Sequence, residues 1–296
     1  MPNTAYRSPT GWSDDDRSSS VHSHGGTLGT FTLIALTVAG AVYIVGASGQ
    51  RRRGHAAWPP ARTVSWIAGL LAVAAVLVGP LGHAGGHDLT THVLGHVVIG
   101  MVAPVLLVLG SPVTLARRTL EPVPLQRLGR LAGNPLTRAL AFPVVAAVLA
   151  VGGSWLLYTG TTAADSTRDP ALHSVVMIGF LLAGLLLTAG VVGVSAGIRR
   201  SPRWLRVTVL VLSTAVLCAE SALMAAAGVP DIPADQVPSA SAALWIGAVL
   251  YAVALGVVVA GKRARDERTA RDDQVAADVR EARPAPAAPV ASDPVR

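Results

Sequence analysis

The sequence predicts an all-α, polytopic membrane protein with seven transmembrane helices, its N-terminus outside the cell and its C-terminus in the cytoplasm. Of its 296 residues, 51% are hydrophobic and only 14% are charged, and the mean hydropathy is +0.51. A soluble domain usually carries about a quarter of charged residues, so this chain has too few to cover a soluble fold. Seven long apolar stretches, flanked by basic residues, complete the pattern.

Each apolar stretch is long enough to cross a bilayer, which takes roughly 20 apolar residues in a helix. Helices are required because lipid offers no partners for backbone N–H and C=O groups. Pro104 and Pro143 lie inside two of the stretches, where kinks are tolerable because neighbouring helices can compensate for the lost hydrogen bond. The predicted spans are 28–48, 64–82, 89–109, 139–158, 172–194, 207–227 and 240–260.

The basic residues predict the orientation. Only Arg7, Arg17 and Arg168 fall on the side of the predicted N-terminus. Thirteen arginines fall in the three loops on the opposite side, and loops rich in Lys and Arg stay in the cytoplasm. They are Arg51, Arg52, Arg53, Arg62, Arg117, Arg118, Arg127, Arg130, Arg138, Arg199, Arg200, Arg203 and Arg206. The net charge of +7 therefore indicates orientation in a membrane and no affinity for nucleic acid.

Three regions follow from this pattern. Residues 1–27 are polar and predict a disordered extracytoplasmic tail. Residues 28–261 form the seven-helix transmembrane domain, and residues 262–296 form a charged, Pro/Ala-rich cytoplasmic tail. Cys218 is the one cysteine, which excludes an internal disulfide and any Cys-x-x-Cys motif. Nucleotide-binding and hydrolase motifs are also missing, so we expect no enzymatic activity.

Histidines gather at the predicted outer side. His83 and His87 lie in the short turn between spans two and three, and His173 begins span five. His92 and His96 lie on span three, about 5 and 11 Å below its outer end at about 1.5 Å per residue. Ionisable groups inside a membrane are rare and usually functional. The five histidines therefore predict a site that faces outward.

The spacing of His92 and His96 indicates metal binding. Residues four apart lie on one face of a helix, and two imidazoles in that arrangement can chelate one ion. Neutral imidazole suits Cu, Zn, Fe and Ni. The alternative is a pair of buried histidines that form hydrogen bonds with neighbouring helices.

Glu220 is the one acid within a predicted span, at about the same depth as His96. It is a candidate metal ligand, a partner that orients a histidine, a proton carrier, or a protonated carboxyl bonded to a backbone carbonyl. Aromatic residues near the span ends predict interfacial belts; they are Trp58, Trp66, Trp155, Tyr158, Trp204 and Trp245.

Span three resembles the signature of the CtaG-type assembly factors of caa-type cytochrome c oxidase. That family carries HMxQH, an apolar run, a P-L-L-V-L-G-x-P stretch and a basic loop. Residues 92–120 read HVLGHVVIGMVAPVLLVLGSPVTLARRTL, and His92 and His96 fall on the family's two histidines. The family's proline, glycine and second proline correspond to Pro104, Gly110 and Pro112.

Two further stretches are similar to the same family. Residues 169–187 resemble its aspartate-proline and histidine segment, with His173 on the histidine, and residues 265–273 resemble its charged tail. Family members often carry another histidine a turn later, where this chain has Gly179 and Phe180. The resemblance covers about residues 64–275 and agrees with the seven-span plan.

The resemblance implies a role in maturing cytochrome c oxidase, in contact with oxidase subunits, by supplying copper at the outer face of the cell membrane. The copper ligands it implies are His92, His96 and His173, helped by His83, His87 or Glu220. Two alternatives stay open from the residues alone. One is a b-type haem protein that uses His96 and His173 as axial ligands; the other is a metal permease.

Overall fold

The computed structural model describes residues 14–50, 54, 56–79, 81, 88–120, 126–127, 129–130, 133–159, 170–193, 201–229 and 232–281, and for 14–28 the helical backbone alone. Over these residues the fold is helical, without strands. The helices are α1 (Asp14–Ser48), α2 (Pro60–Leu77), α3 (Leu89–Val97), α4 (Ala103–Leu109), α5 (Pro112–Thr119), α6 (Pro135–Leu140), α7 (Pro143–Thr159), α8 (Pro170–Val192), α9 (Arg203–Ala227) and α10 (Val237–Glu281). A π-helical turn, Val98–Val102, joins α3 to α4.

The all-α prediction is confirmed, and six of the seven predicted spans are helices long and apolar enough to cross a membrane within the described ranges. The remaining span, predicted at 139–158, corresponds to α7, which has 17 residues. A helix of that length extends about 26 Å, slightly less than the hydrocarbon core of about 30 Å. The seventh crossing and the direction of the termini stay predictions.

Two details differ from the expected pattern. Pro143 is the first residue of α7 instead of a kink inside a span, because a proline at a helix start lacks only an N–H that would be unpaired anyway. Helix α1 begins at Asp14, within the region predicted as a disordered tail. The division into tail, transmembrane domain and cytoplasmic tail stays a prediction.

The chain divides into two compact units, Met1–Leu255 and Gly256–Arg296. In the first unit, α2 packs against α4, and α8 packs against the π-helical turn, α4 and α7. Helix α9 packs against α7. In the second unit, the described residues continue helix α10 as far as Glu281.

Large apolar side chains lie on the outside of these helices. Phe31, Val45, Leu71, Leu156 and Val175 are each 65–71% exposed. A soluble protein rarely exposes such a continuous apolar surface, whereas a transmembrane helix presents it to lipid. The outer surface of the helices therefore supports the membrane interpretation independently of the sequence count.

Helix α8 and the π-helical turn approach each other closely at two glycines. A Cβ atom added to Gly184 would overlap the carbonyl oxygen of Gly100 and would lie 2.8 Å from Cγ of Pro104. Pro104 has no N–H to offer the carbonyl four residues earlier, which is that of Gly100. Small residues allow helix backbones in a membrane to come this close.

We therefore expect the Gly184→Ala substitution to destabilise the protein by about 1–3 kcal/mol, the usual cost of forcing extra atoms into a packed interior. The measurement is thermal unfolding of the detergent-solubilised protein. Gly179→Ala on the same helix is the matched control, because its Cβ would meet no atom within 4 Å. Equal melting temperatures for the two variants would contradict the close approach.

Candidate metal centre

The helix that carries His92 and His96 is fixed at its first turn. Asp88 caps α3, and its Oδ2 atom accepts hydrogen bonds from the backbone N–H and the hydroxyl of Thr91 at 2.9 and 3.0 Å. The backbone N–H of Leu89 donates to Oε1 of Gln236 at 2.8 Å. The start of α3 is thereby fastened to the segment that precedes α10.

Three imidazole rings meet inside the helical bundle. The ring centroids of His92 and His96 are 4.4 Å apart, because the two residues stand one turn apart on the same face of α3. His173, near the start of α8, places its ring centroid 5.4 Å from that of His92 and 6.4 Å from that of His96. The structure thus brings together three of the five predicted histidines, while His83 and His87 lie outside the described residues.

The two histidines of α3 are buried and have nitrogen atoms without partners. His92 and His96 are 2% and 4% exposed, and the Nε2 atom of each has no hydrogen-bond partner among the described residues. An unpaired polar atom in an apolar interior costs about 1–3 kcal/mol. The two Nε2 atoms are therefore available to a ligand that the helices themselves do not supply.

Tyr158 of α7 holds the ring of His96. Its hydroxyl lies 2.6 Å from Nδ1 of His96, and the ring of Phe180 stacks on the same imidazole with centroids 4.7 Å apart. When Nδ1 carries the proton of the neutral ring, Nε2 presents its lone pair to an ion. The hydrogen bond to Tyr158 therefore occupies Nδ1 of His96 and leaves Nε2 free to bind an ion.

An apolar cluster surrounds the rings. It joins residues from α3, α7, α9 and α10, and its members include Val93, Val97, Leu157, Met224 and Leu244. His92 and His96 are therefore nearly inaccessible to solvent, whereas His173 is half-buried.

The rings lie close together without forming a completed metal site. Within the described ranges, no three His, Cys, Asp or Glu side chains stand in an arrangement that would hold an ion as they are. Binding by three imidazoles at about 2.0–2.1 Å would therefore require at least one ring to rotate.

Among the described residues, Glu220 forms no hydrogen bond with the imidazoles. Its Oε2 atom accepts a hydrogen bond from the hydroxyl of Ser154 at 2.9 Å, and its Oε1 atom has no partner. Glu220 is 1% exposed. Its place against α7, one helical turn from Tyr158, puts it beside the cluster instead of within it.

The geometry does not favour a haem between His96 and His173. The ring of His92 lies within 5.4 Å of both partners, and the cavity that His96 lines measures about 30 Å³. Pockets for ligands of drug size occupy about 300–1,000 Å³. A single ion fits the spacing of these rings better than a macrocycle does.

The sequence matches the family described as the cytochrome c oxidase caa3 assembly factors, Caa3_CtaG, over residues 41–264. The chain belongs to this family. His92, His96 and His173 all lie within the matched region of the assembly factor. The resemblance found in the histidine motif is thereby confirmed over most of the chain.

Curated relatives come from mycobacteria. The chain is similar to an uncharacterized protein of Mycobacterium leprae, with 32% identity over 180 residues, which is 58% of this chain and 27% of the relative. It is also 32% identical over 167 residues to uncharacterized proteins of Mycobacterium bovis and Mycobacterium tuberculosis, covering 54% of this chain and 25% of each. The chain thus spans about a quarter of these relatives. No solved structure matches it.

The sequence did not predict the residues that hold the ring of His96 in place. Tyr158 was expected in an interfacial belt, but it is 3% exposed and bonded to His96. The available signal was the spacing of Ser154 and Tyr158, two hydroxyl groups four residues apart in an otherwise apolar helix. Phe180 stacks on the ring of His96 and offers no ligand atom.

The cap of α3 gives a pH-dependent prediction. The backbone N–H of Thr91 donates to Asp88 and lowers the pKa of this carboxyl below its usual value of 3.8. The stabilisation that Asp88 provides is therefore complete above the ordinary pKa and is lost as the pH falls through the lowered one.

We expect Asp88→Ala to cost about 1 kcal/mol near pH 7, as the loss of a helix cap usually does, and to cost less below about pH 4. Thermal unfolding of the solubilised protein across this pH range provides the measurement. Asp235→Ala, at an exposed carboxyl, serves as the control. A cost for Asp88→Ala that stays the same at pH 3 and pH 7 would contradict the role of the charged cap.

Proposed function

We propose that this assembly factor binds a copper ion at His92, His96 and His173 at the outer face of the cell membrane and passes it to a subunit of the caa3-type oxidase. The observation that supports this most directly is the meeting of three imidazoles in which two buried Nε2 atoms lack partners. Membership of the family indicates the oxidase as the partner, and the imidazole ligands indicate the class of metal.

Imidazole nitrogen is a good ligand for copper, and three neutral rings can hold the ion without adding negative charge to the membrane interior. Three protein ligands also leave a coordination position open, as in metal sites that exchange a ligand. An acceptor from the oxidase would use this open position to take the ion. A site that loads and releases copper needs such exchange, whereas a closed four-ligand site would retain the ion.

The side of the membrane follows from the predicted orientation. The positive-inside pattern predicts that the start of α3 and the start of α8 lie at the outer face. His92 and His173 lie in the first turns of these helices, and His96 lies one turn further along α3. Half-burial of His173, against nearly complete burial of His92 and His96, indicates the direction from which an ion would reach the rings.

Removing two of the ligands tests the site. We expect His92→Ala combined with His96→Ala to abolish the binding of one copper ion by the purified, full-length protein, because a single imidazole cannot chelate. Dialysis against copper followed by metal analysis gives the stoichiometry. The control is His55→Ala, which the orientation places on the cytoplasmic side, and its copper content should equal that of the unaltered protein.

The same variants separate copper delivery from other roles in assembly. A strain without this gene should regain its caa3-type oxidase activity at low copper with the His55→Ala variant but not with the double variant. Added copper should restore part of the activity of the double variant. Unchanged copper stoichiometry in the double variant, or full oxidase activity with it at low copper, would contradict the proposal.

Tyr158 is a positioning residue in this proposal, because it acts through the ring of His96. Loss of a group that orients a metal-binding histidine typically lowers affinity about 10–100-fold, and we expect this for Tyr158→Phe. Competition with a copper chelator measures the affinity. Tyr251→Phe is the matched control, since it removes another buried hydroxyl, one that bonds to Thr188 at 3.0 Å. If both variants lose the same affinity for copper, Tyr158 has only a structural role.

A further inference from the structure

A cavity of about 290 Å³ lies beside the imidazole cluster, at the C-terminal end of helix α9. Its wall includes Tyr158 of α7 together with Glu220, Met224 and Ala227 of α9. The proposed copper site uses none of the α9 residues. The chemistry of this wall therefore calls for a separate explanation.

Glu220 gives the cavity an acid. Among the described residues it is the one acidic side chain that is buried. One carboxyl oxygen accepts a hydrogen bond from Ser154, and the other has no partner in the part of the chain that the structure describes. A buried carboxyl is costly unless it is paired, hydrogen-bonded or joined to a metal, and no basic group of the described chain pairs with this one.

Met224 gives the cavity a sulfur. It stands four residues after Glu220, so the two side chains share one face of α9. It is 3% exposed and lines the same cavity. A carboxylate alone would suit hard ions such as Mg²⁺ or Ca²⁺, whereas a thioether selects copper(I).

The end of helix α9 also favours a positive charge. The last carbonyl groups of a helix carry a partial negative charge, and α9 ends at Ala227, within the wall of the cavity. No Lys, Arg or His side chain of the described residues lines it. The helix end, the carboxyl and the thioether would thus all favour binding of a cation in this cavity.

Tyr158 lies between this cavity and the three rings. Its ring forms part of the cavity wall, while its hydroxyl lies 2.6 Å from Nδ1 of His96. A cation in the cavity would therefore be separated from the imidazole cluster by one side chain.

We propose that Glu220 and Met224 form a second cation site, for copper(I), in the cavity next to the imidazole cluster. The carboxylate oxygen and the thioether sulfur are its ligands, and the C-terminal carbonyl end of α9 stabilises the charge. The site does not depend on copper binding by the histidines, so the two can fail separately.

The test is the copper(I) stoichiometry of the full-length protein in detergent under anaerobic conditions. The unaltered protein should bind two ions. Glu220→Gln combined with Met224→Leu should bind one, and His92→Ala, His96→Ala and His173→Ala together should also bind one. Asp235→Asn combined with Met177→Leu is the matched control, because neither residue lines the cavity, and it should bind two.

Other copper stoichiometries would contradict one of the two sites. Two ions retained by the Glu220→Gln, Met224→Leu variant would overturn the second site, as would no ions bound by the triple histidine variant. If the triple variant instead keeps the full copper content while Glu220→Gln, Met224→Leu loses an ion, the second site stands and the proposed histidine site fails.

X-ray absorption at the copper edge keeps the inference testable should the altered chains not fold. The unaltered protein should show copper–sulfur scattering, and Cys218→Ser should leave it unchanged, because the sulfur is assigned to Met224. Loss of the signal in Cys218→Ser, or nitrogen and oxygen scattering alone in the unaltered protein, would overturn the assignment.

Discussion

The close approach of two helix backbones, at Gly100 and Gly184, is the constraint on which the metal centre depends. Gly100 stands one turn after His96, and Gly184 lies on the helix that carries His173. The distance between these helices decides whether an imidazole from one can reach an imidazole from the other. A larger residue at position 184 would push α8 away from Gly100, and therefore away from the helix whose histidines now lie 5.4 and 6.4 Å from the ring of His173.

Several polar side chains in the apolar interior form hydrogen bonds with one another. Tyr158 bonds to His96, Ser154 bonds to Glu220, and Thr188 bonds to Tyr251. Within the described residues, unpaired buried atoms remain on His92, His96 and Glu220, and also on Gln50 and Trp66. A protein interior rarely leaves buried polar atoms unpaired, and those of His96 and Glu220 lie on either side of Tyr158, which bonds to His96 and lines a cavity with Glu220.

The sequence predicts the class of fold and the histidine pair well, because both rest on periodicity. Apolar length gives the spans, and spacing of four residues places His92 and His96 together. His173 came from a predicted topology supported by family resemblance. Tyr158 could not be assigned in this way, since burial of an aromatic residue near a helix end depends on which neighbour covers it. The role of Pro143 was wrong for a similar reason: a local rule cannot tell whether a helix begins at a proline or passes through it.

The π-helical turn at Val98–Val102 divides the long third span into two segments. The side chains of the second segment are rotated about the helix axis relative to those of the first. An inserted residue in such a turn shifts the faces on either side relative to each other, and turns of this kind are frequent at functional sites. The segment before the turn can therefore direct its imidazoles toward α8, while the segment after the turn packs against α2 and α8. The direction in which the imidazole rings face is therefore set at the π-helical turn as well as by the packing of α4 against its neighbours.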